Sequence, residues 1–369
     1  MKKAGPFISF FSGNTFIFYL LLLSLATVYL SRVSGHNGDM PFYIALIIEK
    51  EQGSMQGVVD KTREVLQKEL PAGEYQDHAK RIADADPMIF ERYRIKPLYV
   101  LLAVAFHSLG FSYIQATHAP SILCYFLIGL SIWLIGIRRM DSVKTFLVGM
   151  VCMMIYPTLL LARLASPDAL SCFILLNAVF LIYSGRNKTL WICLFLLGIC
   201  TRLDNVVSEL IFLFALWKWP VKGFSNKLNT SEFLFLSIGL LGTALLINLM
   251  ATHHFLWFMD PVFSQTTGQY LNNVYFCFFY VIPGSFFMYL LGLFIFSGLS
   301  RGFSWHQELN YIFYVICAAI FIRLLVYPYY EERYFTPYLL FSLLTIAFYM
   351  AGFGKPAVAK SENTTDFHV

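Results

Sequence analysis

Charge is scarce in this chain. Of its 369 residues, 13% are charged, 58% are hydrophobic and 18% are aromatic. An ordinary soluble domain is about 25% charged and about 45–50% apolar. A protein core cannot absorb that excess, so the composition excludes a typical soluble globule and points to lipid-facing surface. Paired cysteines are missing too. Cys124, Cys152, Cys172, Cys193, Cys200, Cys277 and Cys317 all fall inside apolar runs, with no C-x-x-C among them. That pattern excludes a disulfide framework and a cysteine metal centre of the usual spacing, and buried packing is expected instead. No segment alternates with period two, which excludes the strands of a membrane barrel. No internal repeat relates the two halves. The net charge of +5 reports loop orientation in such a chain, and no nucleic-acid partner is expected.

What the chain has is long apolar runs. They fall at 14–33, 97–113, 119–137, 143–162, 169–184, 189–201, 205–217, 231–250, 274–299, 309–328 and 334–352. Several reach the length that crosses a hydrocarbon layer of about 30 Å. The first follows Lys2 and Lys3 as in a signal peptide. It is long for one, and Arg32 follows without an A-x-A cleavage pattern, so it reads as a retained helix. Residues 34–96 form the one long polar stretch, with mixed charges that suit short helices on a membrane surface.

Basic residues in short loops set the orientation. With the N-terminus in the cytoplasm and 34–96 outside, one condition places every short basic loop inside. Run 97–113 must lie at the outer interface, or dip in and return. Arg138, Arg139, Lys144, Arg186, Lys188, Lys218, Lys222, Lys227, Arg301, Lys355 and Lys360 then all fall in the cytoplasm. The expected fold is an all-α polytopic membrane protein of about ten segments. It is a single membrane domain over 1–369, with an extracytoplasmic helical loop over 34–96 and a short cytoplasmic tail over 353–369.

Two of the runs, 189–201 and 205–217, are about 20 Å long as helix and do not span alone. They predict a helical hairpin whose tip, Thr201 to Asn205, lines a wet cavity, because charge facing lipid at that depth is costly. The map gathers other polar residues on the same outer side. They are Asp39, Arg94 and Lys96, Arg163 and Asp168, Arg202 and Asp204, His253, His254 and Asp260, and Glu331 through Tyr334. Acids and bases converging from distant segments suit an anionic, partly lipidic substrate.

Plainer readings stand beside that one. Asp168 follows Ser166-Pro167 and could simply cap a helix. Arg202 and Asp204 could pair only with each other. Glu331, Glu332 and Arg333 could be ordinary interfacial residues, and Lys96 a headgroup anchor. Asp39 beside Gly38 could serve a turn. The adjacent His253 and His254 point to different sides of a helix, so solvated loop histidines explain them better than a shared metal.

Five stretches resemble the GT-C superfamily of integral-membrane glycosyltransferases, in the branch of the lipid A aminoarabinose transferases and protein O-mannosyltransferases. They are Gly38-Asp39-Met40-Pro41-Phe42-Tyr43, Tyr93-Arg94-Ile95-Lys96-Pro97-Leu98-Tyr99, Leu161 through Leu170, Gly198 through Asp204, and Glu332-Arg333-Tyr334-Phe335-Thr336-Pro337. The likeness spans about residues 14–350. The chain departs from it in having Met40 after Asp39 and one proline after Lys96. Unlike many members, it is expected to close at the tenth segment without a C-terminal soluble domain.

The resemblance implies a sugar donor on a polyprenyl phosphate, an acceptor that is lipid, glycan or protein, and inverting transfer on the extracytoplasmic face; the lack of paired cysteines and the short tail suit a bacterial inner membrane, with an endoplasmic-reticulum membrane as the alternative. It implies Asp39 as base, with Asp168 at the acceptor side or as an orienting acid. Lys96, Arg333 and Arg202 would hold the donor phosphate. Tyr43, Arg94, Asp204, Glu332 and Tyr334 would contact substrate. No cofactor is implied, and a divalent metal is left open. A transporter or flippase of lipid-linked or anionic solutes, and a non-catalytic partner in polysaccharide assembly, are the rival readings.

Overall fold

The computed structural model describes residues 6–33, 35–85, 87–185, 187–218, 227–252, 266–285, 288, 291–292, 307–326 and 331–350. Among the described residues the chain is helical. It opens with α1 (Pro6–Arg32), followed by the four helices of the long loop, α2 (Met40–Gln52), α3 (Val58–Glu69), α4 (Ala72–Ala83) and α5 (Pro87–Arg94). Then come α6 (Pro97–Ser108), α7 (Tyr113–Gly136), α8 (Ser142–Met154), α9 (Tyr156–Arg163), α10 (Asp168–Tyr183), α11 (Lys188–Thr201), α12 (Asn205–Lys218) and α13 (Thr230–Ala251). The described part closes with α14 (Thr267–Phe276), α15 (Gln307–Val326) and α16 (Glu332–Met350).

Among the described residues, three helices are long and apolar enough to cross a membrane, over Asn14–Arg32, Tyr113–Gly136 and Thr230–Ala251. A fourth span results if α8 and α9, bent by 60° at their junction, count as one. The sequence reads 143–162 as a continuous helix, but the chain turns extended at Ile155, with ψ 145°. Pro157 is the cause. It cannot continue the ladder of α8, yet in the first turn of α9 its missing amide hydrogen costs nothing.

Run 97–113 also divides. The twelve residues of α6 span about 18 Å. A turn through Gly110, at φ 96°, then leads into α7, which starts at Tyr113 rather than near 119. Ser112 and Gln115 form the capping box that fixes this start. Likewise α14 begins at Thr267, earlier than the expected 274, and runs into a π turn at Cys277–Val281. The tail over 353–369 lies outside the described residues.

The loop over 34–96 is helical as expected, but its first helix is no surface helix. Every residue of α2 from Met40 to Ile48 is buried, so α2 is apolar all round and forms part of the core. The amphipathic partners are α3, burying Val58, Thr62 and Leu66 at helical spacing, and α4, burying His78, Ala79 and Ile82. The cysteines are unpaired; Cys124, Cys152, Cys172 and Cys277 are buried as expected, while Cys193 is exposed.

A short strap joins the α1–α2 and α9–α10 connections. Gly35 and Leu164 form a parallel bridge, and Gly35 N donates to Arg163 O at 2.8 Å. Asn37 extends it, accepting from Ala165 N at 3.1 Å and donating to Ala165 O at 3.3 Å. The strap leads directly to Asp39 on one side and to Asp168 on the other. Asn37→Ala removes both Asn37 bonds and should cost about 1–3 kcal/mol. A lower melting temperature of the purified protein is expected; an unchanged one would contradict the strap.

Candidate functional site

The site is assembled around the break between α11 and α12. Thr201 Oγ1 donates to Gly198 O at 2.6 Å and ends α11. Arg202 is extended, with φ −153° and ψ 118°. Asn205 then starts α12 and ties the hairpin shut, donating to Gly198 O at 2.9 Å and to Ser171 Oγ on α10 at 2.8 Å. A Cβ at Gly198 would lie 2.4 Å from the Glu209 carboxyl on α12, so a larger residue there would require that side chain to shift. The local sequence therefore presents Arg202, Leu203 and Asp204 as a rigid tip.

Arg202 grips Asp204 with two parallel bonds, Nε to Oδ1 at 3.0 Å and Nη2 to Oδ2 at 2.9 Å. Its remaining terminal nitrogen, Nη1, donates to Asp168 Oδ1. Asp204 Oδ2 also accepts from Arg323 near the end of α15. Asp168 Oδ2 accepts from Ser166 Oγ at 2.9 Å and faces Arg333 Nη1 at 3.6 Å. The same Arg333 nitrogen lies 3.7 Å from Asp39 Oδ2, and Arg333 Nε donates to Glu331. Charges thus alternate along one continuous chain, from Arg323 through Asp204, Arg202, Asp168 and Arg333 to Asp39. Tyr334 lies under it, its ring 4.2 Å from the Arg202 guanidinium and 4.9 Å from that of Arg333.

Lys96 differs from the other cations. It ends the turn between α5 and α6, and its ammonium donates to Tyr43 OH at 3.3 Å and lies 4.6 Å from the Tyr93 ring centre. Among the described residues no carboxylate contacts it within 4.0 Å. Burial lowers its pKa to about 8, an effect that the negative charge of nearby Asp39 partly offsets. Tyr93 OH donates to Asp39 Oδ1 at 2.9 Å, and burial first, then the Asp39 charge, holds that hydroxyl well above its ordinary pKa. Asp39 is the residue before α2 but makes no side-chain cap, so its carboxylate is left to the site. Together Asp39, Lys96, Arg202, Asp204, Arg333 and Tyr334 help line a cavity of about 230 Å³.

The structure brings together Asp39, Asp168, Lys96, Arg202, Asp204, Arg333, Tyr334 and Tyr43, as the sequence grouped them. Asp168 does not cap its helix; it is the first residue of α10, with its carboxylate turned to Arg202 and Ser166. Arg202 and Asp204 do pair, but not only with each other. Arg94 stands apart, held by Glu49 through bonds of 2.8 and 3.2 Å beside a separate groove. Glu332 opens α16, while its side chain, like His253, His254 and Asp260, lies outside the described residues.

Arg323 was not singled out by the sequence reading. Its signal was present, since an arginine inside an apolar run is a functional candidate by default. Tyr93 carried none beyond its place in a motif. Among the described residues no three His, Cys, Asp or Glu side chains converge to hold a metal, and Asp39, Asp168 and Asp204 are interleaved with guanidiniums. No family model, curated protein or solved structure matches the chain.

Asp168 is 3% exposed, so removing its partner leaves a buried carboxylate short of compensation. Arg202→Met should cost about 3–5 kcal/mol, and adding Asp168→Asn should recover part of that loss. Thermal unfolding of the purified variants checks both; a double variant no more stable than Arg202→Met would contradict the pairing.

Proposed function

We propose that the protein is an integral-membrane inverting glycosyltransferase. It crosses a bacterial inner membrane about ten times and works on the outer face with a polyprenyl-phosphate sugar as donor. One observation carries the reading. Among the described residues, a carboxylate with one oxygen free of any close hydrogen bond, Asp39, lines the same cavity as a half-buried ammonium without a carboxylate partner, Lys96. A general base and an unspent cation are the two groups that displacement of a sugar from a phosphate requires.

In this mechanism the acceptor oxygen bonds to the anomeric carbon as the bond from that carbon to the phosphate oxygen breaks. Asp39 takes the acceptor's hydroxyl proton, and the electron pair stays on the departing polyprenyl phosphate. That phosphate gains a negative charge, which Lys96 and Arg333 stabilise. Tyr93 OH orients the Asp39 carboxylate, while Asp168 and Arg202 hold Arg333 and the tip in place.

A path for the polyprenyl tail supports the same assignment. A mostly apolar groove of about 460 Å³ runs beside α6, lined by Leu46, Pro97, Val100, Leu101, Val104 and Met250 and also by the charged Glu49, Lys50 and Arg94. Lys96 faces the cavity and Pro97, its neighbour, faces the groove. The donor's phosphate would sit on Lys96 and its prenyl chain along α6.

Transfer of labelled sugar from a panel of polyprenyl-phosphate sugars, measured in nanodiscs with a crude acceptor extract, tests the proposal. Asp39→Asn should reduce turnover about 100- to 10,000-fold at unchanged fold. Near-normal turnover in that variant would remove Asp39 as base. Absence of turnover with every donor would favour the transport or assembly-partner readings.

Donor affinity should also depend on pH. The donor is a phosphodiester of constant charge near neutrality, and Lys96 is an ammonium below about 8. Affinity should be level below that pH and fall as pH rises through it. Lys96→Arg, always charged, should flatten the profile, and Lys96→Ala should weaken binding by about 10- to 100-fold. A wild-type profile that stays level to about pH 10 would contradict the assignment.

A further inference from the structure

A second groove lies on another face, between α1 and the bent pair α8–α9. It encloses about 760 Å³ and is walled by Leu22, Leu25, Met150, Met154 and Leu159 among others. The 60° bend at Ile155 opens it, because α1 packs against both α8 and α9 while these two diverge. Leu22, Leu25 and Met154 are exposed, so the groove faces the bilayer that the preceding proposal places around the helices. Methionine walls adapt readily to a flexible chain.

Its outer end is cationic. Arg163 lines the groove, and Arg32, itself not a wall residue, ends α1 just before the wall residue Val33. Both arginines are exposed. Among the described residues, Arg163 Nε donates to the Val33 carbonyl, at 3.4 Å. Neither arginine has a carboxylate within ion-pair distance among the described residues, whereas Arg94, Arg202, Arg323 and Arg333 all do. Unneutralised arginines on the outer face also run against the usual inside bias of positive charge.

We propose that this groove is a binding site for a membrane lipid with an anionic headgroup, its acyl chain between α1 and α8–α9 and its phosphate at Arg163 and Arg32. The proposal rests on the membrane placement above and not on the transfer chemistry. Arg163 O and Leu164 anchor the strap through Gly35, so the bound lipid would lie against the segment that leads to Asp39 and Asp168.

The full chain in phosphatidylcholine nanodiscs tests it. A trace of diazirine-tailed phosphatidylglycerol, or of the matching phosphatidylcholine, is photolysed and the adducts are mapped by peptide mass spectrometry. The anionic probe should label α1 and α8–α9 about five-fold or more over the choline probe. Arg32→Gln with Arg163→Gln should bring the two probes to parity, and Arg163→Lys should keep the preference. Leu159→Trp, which fills the groove, should remove labelling by both. Equal labelling of the wild type by the two probes, or a preference that survives loss of both arginines, would overturn the site. The readout uses no glycosyl donor, so a failed transfer assay leaves it intact.

Discussion

The grip of Arg202 on Asp204 and Asp168 is the interaction on which the rest of the site depends. One planar guanidinium spends its donors on two carboxylates from different helices, and its face stacks on Tyr334 of α16. That single side chain therefore fixes the hairpin tip to the start of α10 and both to the last described helix. Arg323 and Arg333 extend the pattern, so the carboxylates meet cations from the end of the chain. Buried charge is tolerated because each group has a partner, and the mutual dependence makes the arrangement rigid.

Against that neutralised frame Lys96 is the exception. Its neighbours are two tyrosine rings and a hydroxyl, which stabilise an ammonium but do not cancel its charge. Among the described residues, then, a cation without a carboxylate partner stands in the same cavity as a carboxylate that keeps one oxygen out of close hydrogen bonds, and the proposed function rests on that pair. The strap places Asp39 within that arrangement, so the first loop contributes Asp39 and Lys96 to the cavity while the later helices contribute the paired frame.

Much of this was legible in the sequence. A charge in an apolar chain is expensive, so the few acids and bases near the ends of runs are expected to be concentrated on one face; Asp39, Lys96, Asp168, Arg202, Asp204 and Arg333 follow from that logic. The hairpin followed from two runs too short to span. What the sequence hid was geometry within the runs. Hydropathy does not register the turn at Ile155, because Pro157 and its neighbours remain apolar. Nor does it reveal that α2 is buried all round, since its last residues, Glu49 through Gln52, make the helix look amphipathic. Partner choice was hidden as well. Arg94 and Lys96 stand two residues apart in one motif, yet Arg94 is consumed by Glu49 and only Lys96 faces the cavity.

The most direct test of the central claim is an experimental structure of the protein in nanodiscs with a polyprenyl phosphate bound. The account predicts the phosphate within hydrogen-bond distance of Lys96 Nζ, beside Asp39, with the prenyl chain running along Pro97, Val100 and Val104 of α6. A phosphate found away from Lys96, with the cavity between Asp39 and Arg202 left unengaged, would contradict it.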